Sequence, residues 1–220
     1  LSKPIEQARK GDRKNDRPPV KRRPRRSAEE TRRDILTKAE ELFRERGFNA
    51  VAIADIAAAL GMSPANVFKN FNSKNALVDA IVFEQIGVFE RDIRPLDKNH
   101  PPLSRLRHLA RTLMEQHHQD LNDNPYIFEM ILMTAKQDMK CGDYYKSVIA
   151  NLLADIIRDG VDEGIYAPAD IPSLAETVLH ALTSVIHPVL LAREDIGNLA
   201  TRCDQLVDLI DAGLRNPLAK

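Results

Sequence analysis

From residue 27 onward, apolar side chains return every three or four positions. Ile35, Leu36, Ala39, Leu42 and Phe43 share one face of a helix that Gly47 stops. Ahead of them, Ser27-Ala-Glu-Glu30 has the form of a capping box: the Ser27 hydroxyl takes the N3 amide and Glu30 reaches back. Both acids also lie at the positive end of the helix dipole. A second, short helix over about 53–60 turns Ile53, Ile56, Ala57 and Leu60 inward. A third starts after Ser63 and reaches about Asn70, and a fourth runs from Ser73-Lys74 to about Ile93, where Arg94-Pro95 closes it. The pattern then predicts helices over about 102–121, 125–138, 143–163, 172–193 and 197–215, set apart by Pro101-Pro102, Asn124-Pro125, Gly164, Pro168 and Pro172. No alternating run and no Asn-Gly signal marks a strand, and no repeat of fixed period is visible. The expected fold is all-α, with about nine helices.

One interruption in this pattern is informative. Residues 52–74, AIADIAAALGMSPANVFKNFNSK, stop a small apolar helix at Gly61 and restart two residues later at Ser63-Pro64. Ala57, Ala58 and Ala59 are small enough for close helix approach, and Gly61 tolerates positive φ. Met62 is expected to bury in the turn. Ser63 is expected to cap the next helix, with Pro64 at N1, where its missing N–H costs nothing. Val67 points back onto the first helix. Ala57, Gly61 and Val67 have the spacing of a helix-turn-helix. In that motif the second helix enters the DNA major groove, so its outer face is polar and its first residues, such as Ala65, are short. Asn66 suits a bidentate pair with an adenine edge. Lys69 and Asn70 lie one turn further along, within reach of bases or phosphates. The bland alternative is a helical hairpin in an all-α protein that touches no nucleic acid.

Charge strengthens the DNA reading. The formal net charge of the 220 residues is zero, yet residues 1–26 carry eleven Lys and Arg against three acids, a surplus of eight that the rest of the chain balances. With four prolines and few apolar side chains, this segment is expected to be a disordered basic arm that meets a polyanion. Residues 27–74 carry seven basic and seven acidic residues, so the helix-turn-helix itself adds little net attraction. Arg22, Arg23, Arg25 and Arg26 stand beside the first helix, placed to enter a neighbouring minor groove. No apolar run approaches a membrane span, and the basic N-terminus lacks the apolar stretch of a secretory signal. The leucine at position 1 implies numbering that starts inside a longer frame or at a processed end. Cys141 and Cys203 have no CxxC neighbour and read as reduced thiols of a cytoplasmic protein.

The chain resembles the TetR family of bacterial transcriptional regulators. The resemblance rests on Ala39-Glu40-Glu41-Leu42-Phe43-Arg44-Glu45-Arg46-Gly47-Phe48, on Ile53-Ala54-Asp55-Ile56-Ala57, on Leu60-Gly61-Met62-Ser63, and on the run from Val67 to Leu77. It implies a helix-turn-helix domain of three helices over 27–74, behind the 1–26 arm. A larger helical domain over 75–220 would bind an effector and dimerise. It makes Ser63, Ser73 and Lys74 phosphate contacts, Lys74 at the start of the fourth helix. Four positions depart from the family pattern. Ala52 replaces a capping Thr or Ser. Ala54 stands where Arg is frequent. Phe68 replaces a Tyr, keeping its packing but losing a hydroxyl that reaches phosphate. Asn70 stands where His is frequent. The basic arm is expected to compensate.

One module reads too few base pairs for useful specificity, so a homodimer on a pseudo-palindromic double-stranded operator is expected. Two apolar stripes suit its interface: Leu174, Val178, Ala181, Val185 and Val189, and Leu199, Cys203, Leu206, Val207, Ile210 and Leu214. For a small-molecule effector pocket, the candidate lining residues are His117, Tyr126, Met130, Met133, Ile149, Leu153, His180 and His187. Adjacent His117 and His118 face different sides of a helix and do not make a metal pair. Without a phosphate-cradling glycine loop or a nucleophile elbow, no cofactor, metal or catalysis is expected. The expected function is a repressor released by its effector. The alternative is a DNA-binding protein of the same fold that lacks a small ligand and acts through protein partners or DNA organisation.

Overall fold

The structure, a computed structural model, describes residues 27–93, 96–123, 125–126, 129–130, 139–168, 170–192 and 194–216. The expected basic arm, with Arg25 and Arg26, lies outside the described residues, as do Arg94-Pro95 and Met133. The regular structure among the described residues is all α-helix. The helices are α1 (Ala28–Arg46), α2 (Ile53–Ala59), α3 (Pro64–Asn70), α4 (Lys74–Asp92), α5 (Pro102–Asp123), α6 (Lys140–Asp162), α7 (Ile171–Ile186), α8 (Pro188–Leu191) and α9 (Ile196–Arg215). Residues 125–126 and 129–130 are also helical, and the rest of the expected helix over 125–138 lies outside the described residues.

The capping box forms as its sequence requires. Glu30 N donates to Ser27 Oγ at 3.0 Å and Ser27 N to Glu30 Oε2 at 2.7 Å. The expected helix over 172–193 is broken at His187, because Pro188 has no N–H and pushes the residue before it out of helical geometry. His187 is extended (φ −77°, ψ 122°), and its Nδ1 accepts from Val189 N to cap α8. The stretch Ile171–Leu191 is apolar enough for a membrane span, with mean hydropathy 1.4, contrary to the sequence expectation. Its inner face nevertheless packs into the protein through Ala175, Val178, Leu182, Val185 and Ile186, as a core helix does.

Two main apolar cores result. One gathers Ile35, Leu36, Phe43, Ile56, Ala57, Val67 and Phe71 of the α1–α3 unit with Leu77, Val78 and Ile81 of α4. The other joins α5, α6, α7 and α9 through Leu106, Leu113, Leu153, Ile157, Leu182, Leu199 and Val207. Helix α4 therefore begins in the first core and ends at the second, where Ile93 is buried.

Polar contacts fix the ends of the larger bundle. Buried Arg105 meets Asp159 at 2.8 Å, and Lys98, in the loop before α5, reaches the same carboxylate at 3.0 Å. Burial disfavours the Asp159 charge, but the hydrogen bonds from Arg105 and Lys98 outweigh it and hold its pKa below the usual range. Tyr166 Oη donates to Asp211 at 2.9 Å, and Arg215 Nε donates to the other oxygen at 2.7 Å. Gly160 lets this tyrosine in, since a Cβ there would stand 2.3 Å from Tyr166 Cδ2. Elsewhere in the bundle, half-buried His117 donates from Nδ1 to the Ile186 carbonyl, and Tyr145 Oη lies 2.6 Å from His117 Nε2. A carbonyl can only accept, so the imidazole carries its proton on Nδ1 and accepts a hydrogen bond from the tyrosine hydroxyl at Nε2. Burial lowers the His117 pKa below its ordinary 6.5, and it lowers that of His187 as well.

Two outcomes follow from these contacts. Helix propensity alone would make Gly160→Ala stabilising by about 1 kcal/mol. Overpacking against the tethered Tyr166 ring costs about 1–3 kcal/mol, so the variant is expected to melt lower in a thermal scan. The second concerns pH. The folded state disfavours protonation of His117 and His187, so the unfolded chain binds more protons. Their contribution is complete above the unfolded value of 6.5 and declines as pH falls below it. Urea midpoints taken from about pH 7.5 to 5.5 should fall, with a shallower fall in His117→Gln.

Candidate nucleic-acid interface

The α2–α3 turn is built by backbone bonds. Met62 N donates to Ala57 O at 2.9 Å and Gly61 N to Ala58 O at 3.1 Å, the paired bonds of a Schellman ending. Gly61 has φ +63° with open space around it, so glycine is required there for its backbone angle and not for room. At the other end of α2, Ala52 offers no side-chain acceptor. Asp55 supplies the remaining half of a capping box, taking Ala52 N at 2.7 Å. Of the three alanines expected at the helix contact, only Ala57 is buried, and Ala58 and Ala59 face outward. Met62 is half-buried against the same core.

Helix α3 anchors itself through Val67, which is fully buried. Pro64, Ala65, Asn66, Phe68 and Lys69 are exposed, as the DNA reading requires. Two expectations need correction, at Ser63 and Phe68. Ser63 makes no side-chain cap: Pro64 takes N1, and the hydroxyl stays on the exposed surface. Phe68 does not keep a core packing role, because the residue is 50% exposed. Asn70 bends back, its Nδ2 donating to Asn66 O at 2.9 Å. Asn66 Nδ2 lies 3.7 Å from Met62 Sδ. Arg32 on α1, which the sequence reading passed over, holds the far end of α3. It donates to Asn70 O at 2.9 Å and stacks 4.1 Å over the Phe71 ring. A cation at a helix C-terminus complements the dipole; the signal was its place on the polar face of α1.

Ser73 caps α4, taking Ala76 N at 3.0 Å. Lys74 turns inward. Its Nζ donates to the Phe48 carbonyl and lies 3.9 Å over the Phe48 ring, and burial lowers its pKa. The N–H of the same residue is held by Glu129, whose Oε2 accepts from Phe48 N at 2.8 Å. Tyr126 Oη lies 3.2 Å from both Arg44 Nη2 and Glu40 Oε1. Tyr126 and Met130 thus belong to the core of the α1–α3 unit and do not line a pocket in the larger bundle.

The other candidate pocket residues separate in the structure. Ile149 and Leu153 are fully buried in the larger core, and His117 is half-buried, in a polar network with Tyr145 and the Ile186 carbonyl. His187 is half-buried at the α7–α8 break, whereas His180 is exposed, its Nδ1 bonded to Glu176 O within α7. The apolar stripes divide likewise. Val178, Val185, Leu199, Cys203, Val207 and Leu214 close the chain's own core, and Leu174, Val189, Leu206 and Ile210 are half-buried. Ala181 is exposed, and so are Leu190 at 49%, beside the first expected stripe, and Leu209 at 69%, outside the second.

Residues 35–81 match the family model for bacterial regulatory proteins of the tetR family, and residues 102–207 match the model for a tetracyclin repressor-like C-terminal domain. The chain is 24% identical over 160 residues to the transcriptional regulator UidR of Escherichia coli K12, covering 71% of this chain and 79% of that one. It is 28% identical over 153 residues to the repressor KstR2 of Mycobacterium tuberculosis, covering 62% and 70%. Among solved structures, Thermus thermophilus FadR, a TetR family repressor in complex with lauroyl-CoA, superposes with a TM-score of 0.62 at 21% identity over 86% of this chain and 98% of that one. With both halves matched in order, and a glycine-turned α2–α3 pair presenting an exposed α3, the chain belongs to the TetR family of DNA-binding transcriptional regulators.

Proposed function

We propose that the chain is a homodimeric repressor that binds a pseudo-palindromic operator in the cytoplasm and is released by a small-molecule effector. The observation that carries this reading is the α3 surface: a short helix locked by Val67 and Gly61, with its remaining faces open for the major groove. Asn66, Lys69 and Asn70 supply polar groups to bases and phosphates. Ser63 and Ser73 offer hydroxyls to the backbone, and Lys74 offers the N–H donors that Phe48 does not use. Phosphate attraction beyond these comes from the arm, since residues 27–74 are charge-balanced.

Effector control needs a link between the bundle and the α1–α3 unit. Glu129 and Tyr126 provide one, since the chain leaving α5 hydrogen-bonds directly to Phe48, Glu40 and Arg44. A ligand that moves this segment, or the shared helix α4, would reposition α3, provided it binds the two arrangements with different affinity. Dimerisation is assigned to the outer surfaces of α7, α8 and α9, where Ala181, Leu190 and Leu209 are exposed and Leu206 and Ile210 half-buried, because exposed leucines need cover.

The reading is tested by fluorescence anisotropy against the DNA upstream of the chain's own coding sequence and against a shuffled duplex, at one salt near ~150 mM. A preference of about a thousandfold is expected, and equal affinity for both would overturn the operator reading for that DNA. Removal of residues 1–26 should flatten the dependence of log K on log salt by several units, and an unchanged slope would exclude the arm as the source of phosphate contacts. Leu209→Arg should convert the dimer to a 24.8 kDa species in light scattering while the melting profile of the fold persists.

A further inference from the structure

The exposed surface of α3 has two chemically distinct sides. At 100° per residue, Ala65 and Lys69 lie opposite the buried Val67, Pro64 and Phe68 fall on one flank, and Asn66 and Asn70 fall on the other. The amide flank is partly committed within the helix, with Asn70 Nδ2 on the Asn66 carbonyl and Asn66 Nδ2 beside Met62 Sδ. The other flank is apolar and open: Pro64 and Ala65 are exposed, and Phe68 is half exposed.

A phenyl ring has no group with which to bond a phosphate or a polar base edge. The major groove offers one apolar feature, the C5-methyl of thymine, and alanine and phenylalanine are the side chains that meet it by contact alone. We propose that Phe68, with Ala65 beside it, reads thymine methyl groups, so that each operator half-site carries thymine where this flank lies. The inference rests on α3 being the helix that enters the groove. It assigns to Phe68 a specificity role through a base in place of a contact to the DNA backbone. Pro64 stiffens the start of the same flank.

The test starts from duplexes that the full chain selects out of a random pool. Each thymine in a selected site is then replaced, one at a time, by deoxyuridine, which removes the methyl and leaves every hydrogen-bonding group in place. Anisotropy at one fixed salt should show a loss of about fourfold per contacted methyl at one or two positions in each half-site. In Phe68→Ala, thymine and uracil at those positions should bind within about twofold of each other, whereas Phe68→Leu should keep part of the discrimination. The salt slope of Phe68→Ala should match that of the unaltered chain, because no phosphate contact is lost. Phe68 lies outside the buried core, so the truncated protein is expected to fold, which a melting curve verifies. The proposal is overturned if uracil costs nothing at any position, or if it costs Phe68→Ala as much as the unaltered chain. A changed salt slope would instead make Phe68 a backbone contact. A pool that yields no enriched site would reject sequence-specific binding itself, and this inference with it.

Discussion

The backbone of Phe48 is held by charged side chains at both its N–H and its C=O, and much of the molecule's geometry depends on it. Glu129 takes its N–H and Lys74 takes its C=O, while the ring lies under the Lys74 ammonium and packs edge-on against Phe43 at 5.3 Å. Three parts of the chain meet there: the loop that ends α1, the first turn of α4, and the segment after α5. A backbone unit bonded to two charged side chains is costly to release, because hydrogen bonds to charged groups are stronger than neutral ones and each partner would have to be resolvated or paired again. The α1–α3 unit is therefore not a bead on a linker. Its position is set by groups from the first turn of α4 and from the segment after α5.

That coupling gives the two cores different roles. The smaller core fixes α3 through Val67 and Phe71, and it borrows Tyr126 and Met130 from beyond α5 to complete itself. Beside the larger core lies a half-buried histidine whose two nitrogens are both engaged, by the Ile186 carbonyl and by the Tyr145 hydroxyl. This polar network ties α5, α6 and the end of α7 together at the point where Pro188 breaks the chain's path. A polar group so placed specifies one arrangement of the helices, because any slip would leave a donor or acceptor unpaired away from water.

On the DNA side, the departures from the family pattern have local consequences that the structure makes plain. Without a hydroxyl at Ala52, Asp55 alone caps α2. Without a hydroxyl on Phe68, one flank of α3 is wholly apolar. Arg32 and Lys74 both spend a donor on backbone carbonyls of the α1–α3 unit, at Asn70 and Phe48, and so stiffen the unit that carries α3.

The sequence by itself determined whatever depends on neighbours within a few residues. The capping box at Ser27, the turn at Gly61, the burial of Val67 and the helical spacing of Ile35, Leu36 and Phe43 were legible because cap chemistry, positive φ and period are local properties. Tertiary structure decided which of several apolar faces is covered by the chain's own core. Leu199, Cys203 and Val207 face inward and Leu209 outward on one helix, and period alone cannot say which neighbour a stripe meets. It also decided that Tyr126 and Met130 join the α1–α3 core, that His180 faces outward, and that Lys74 turns inward. Each of these is a contact between residues distant in sequence or a choice of rotamer, and the packing of the whole chain selects it where local propensity does not.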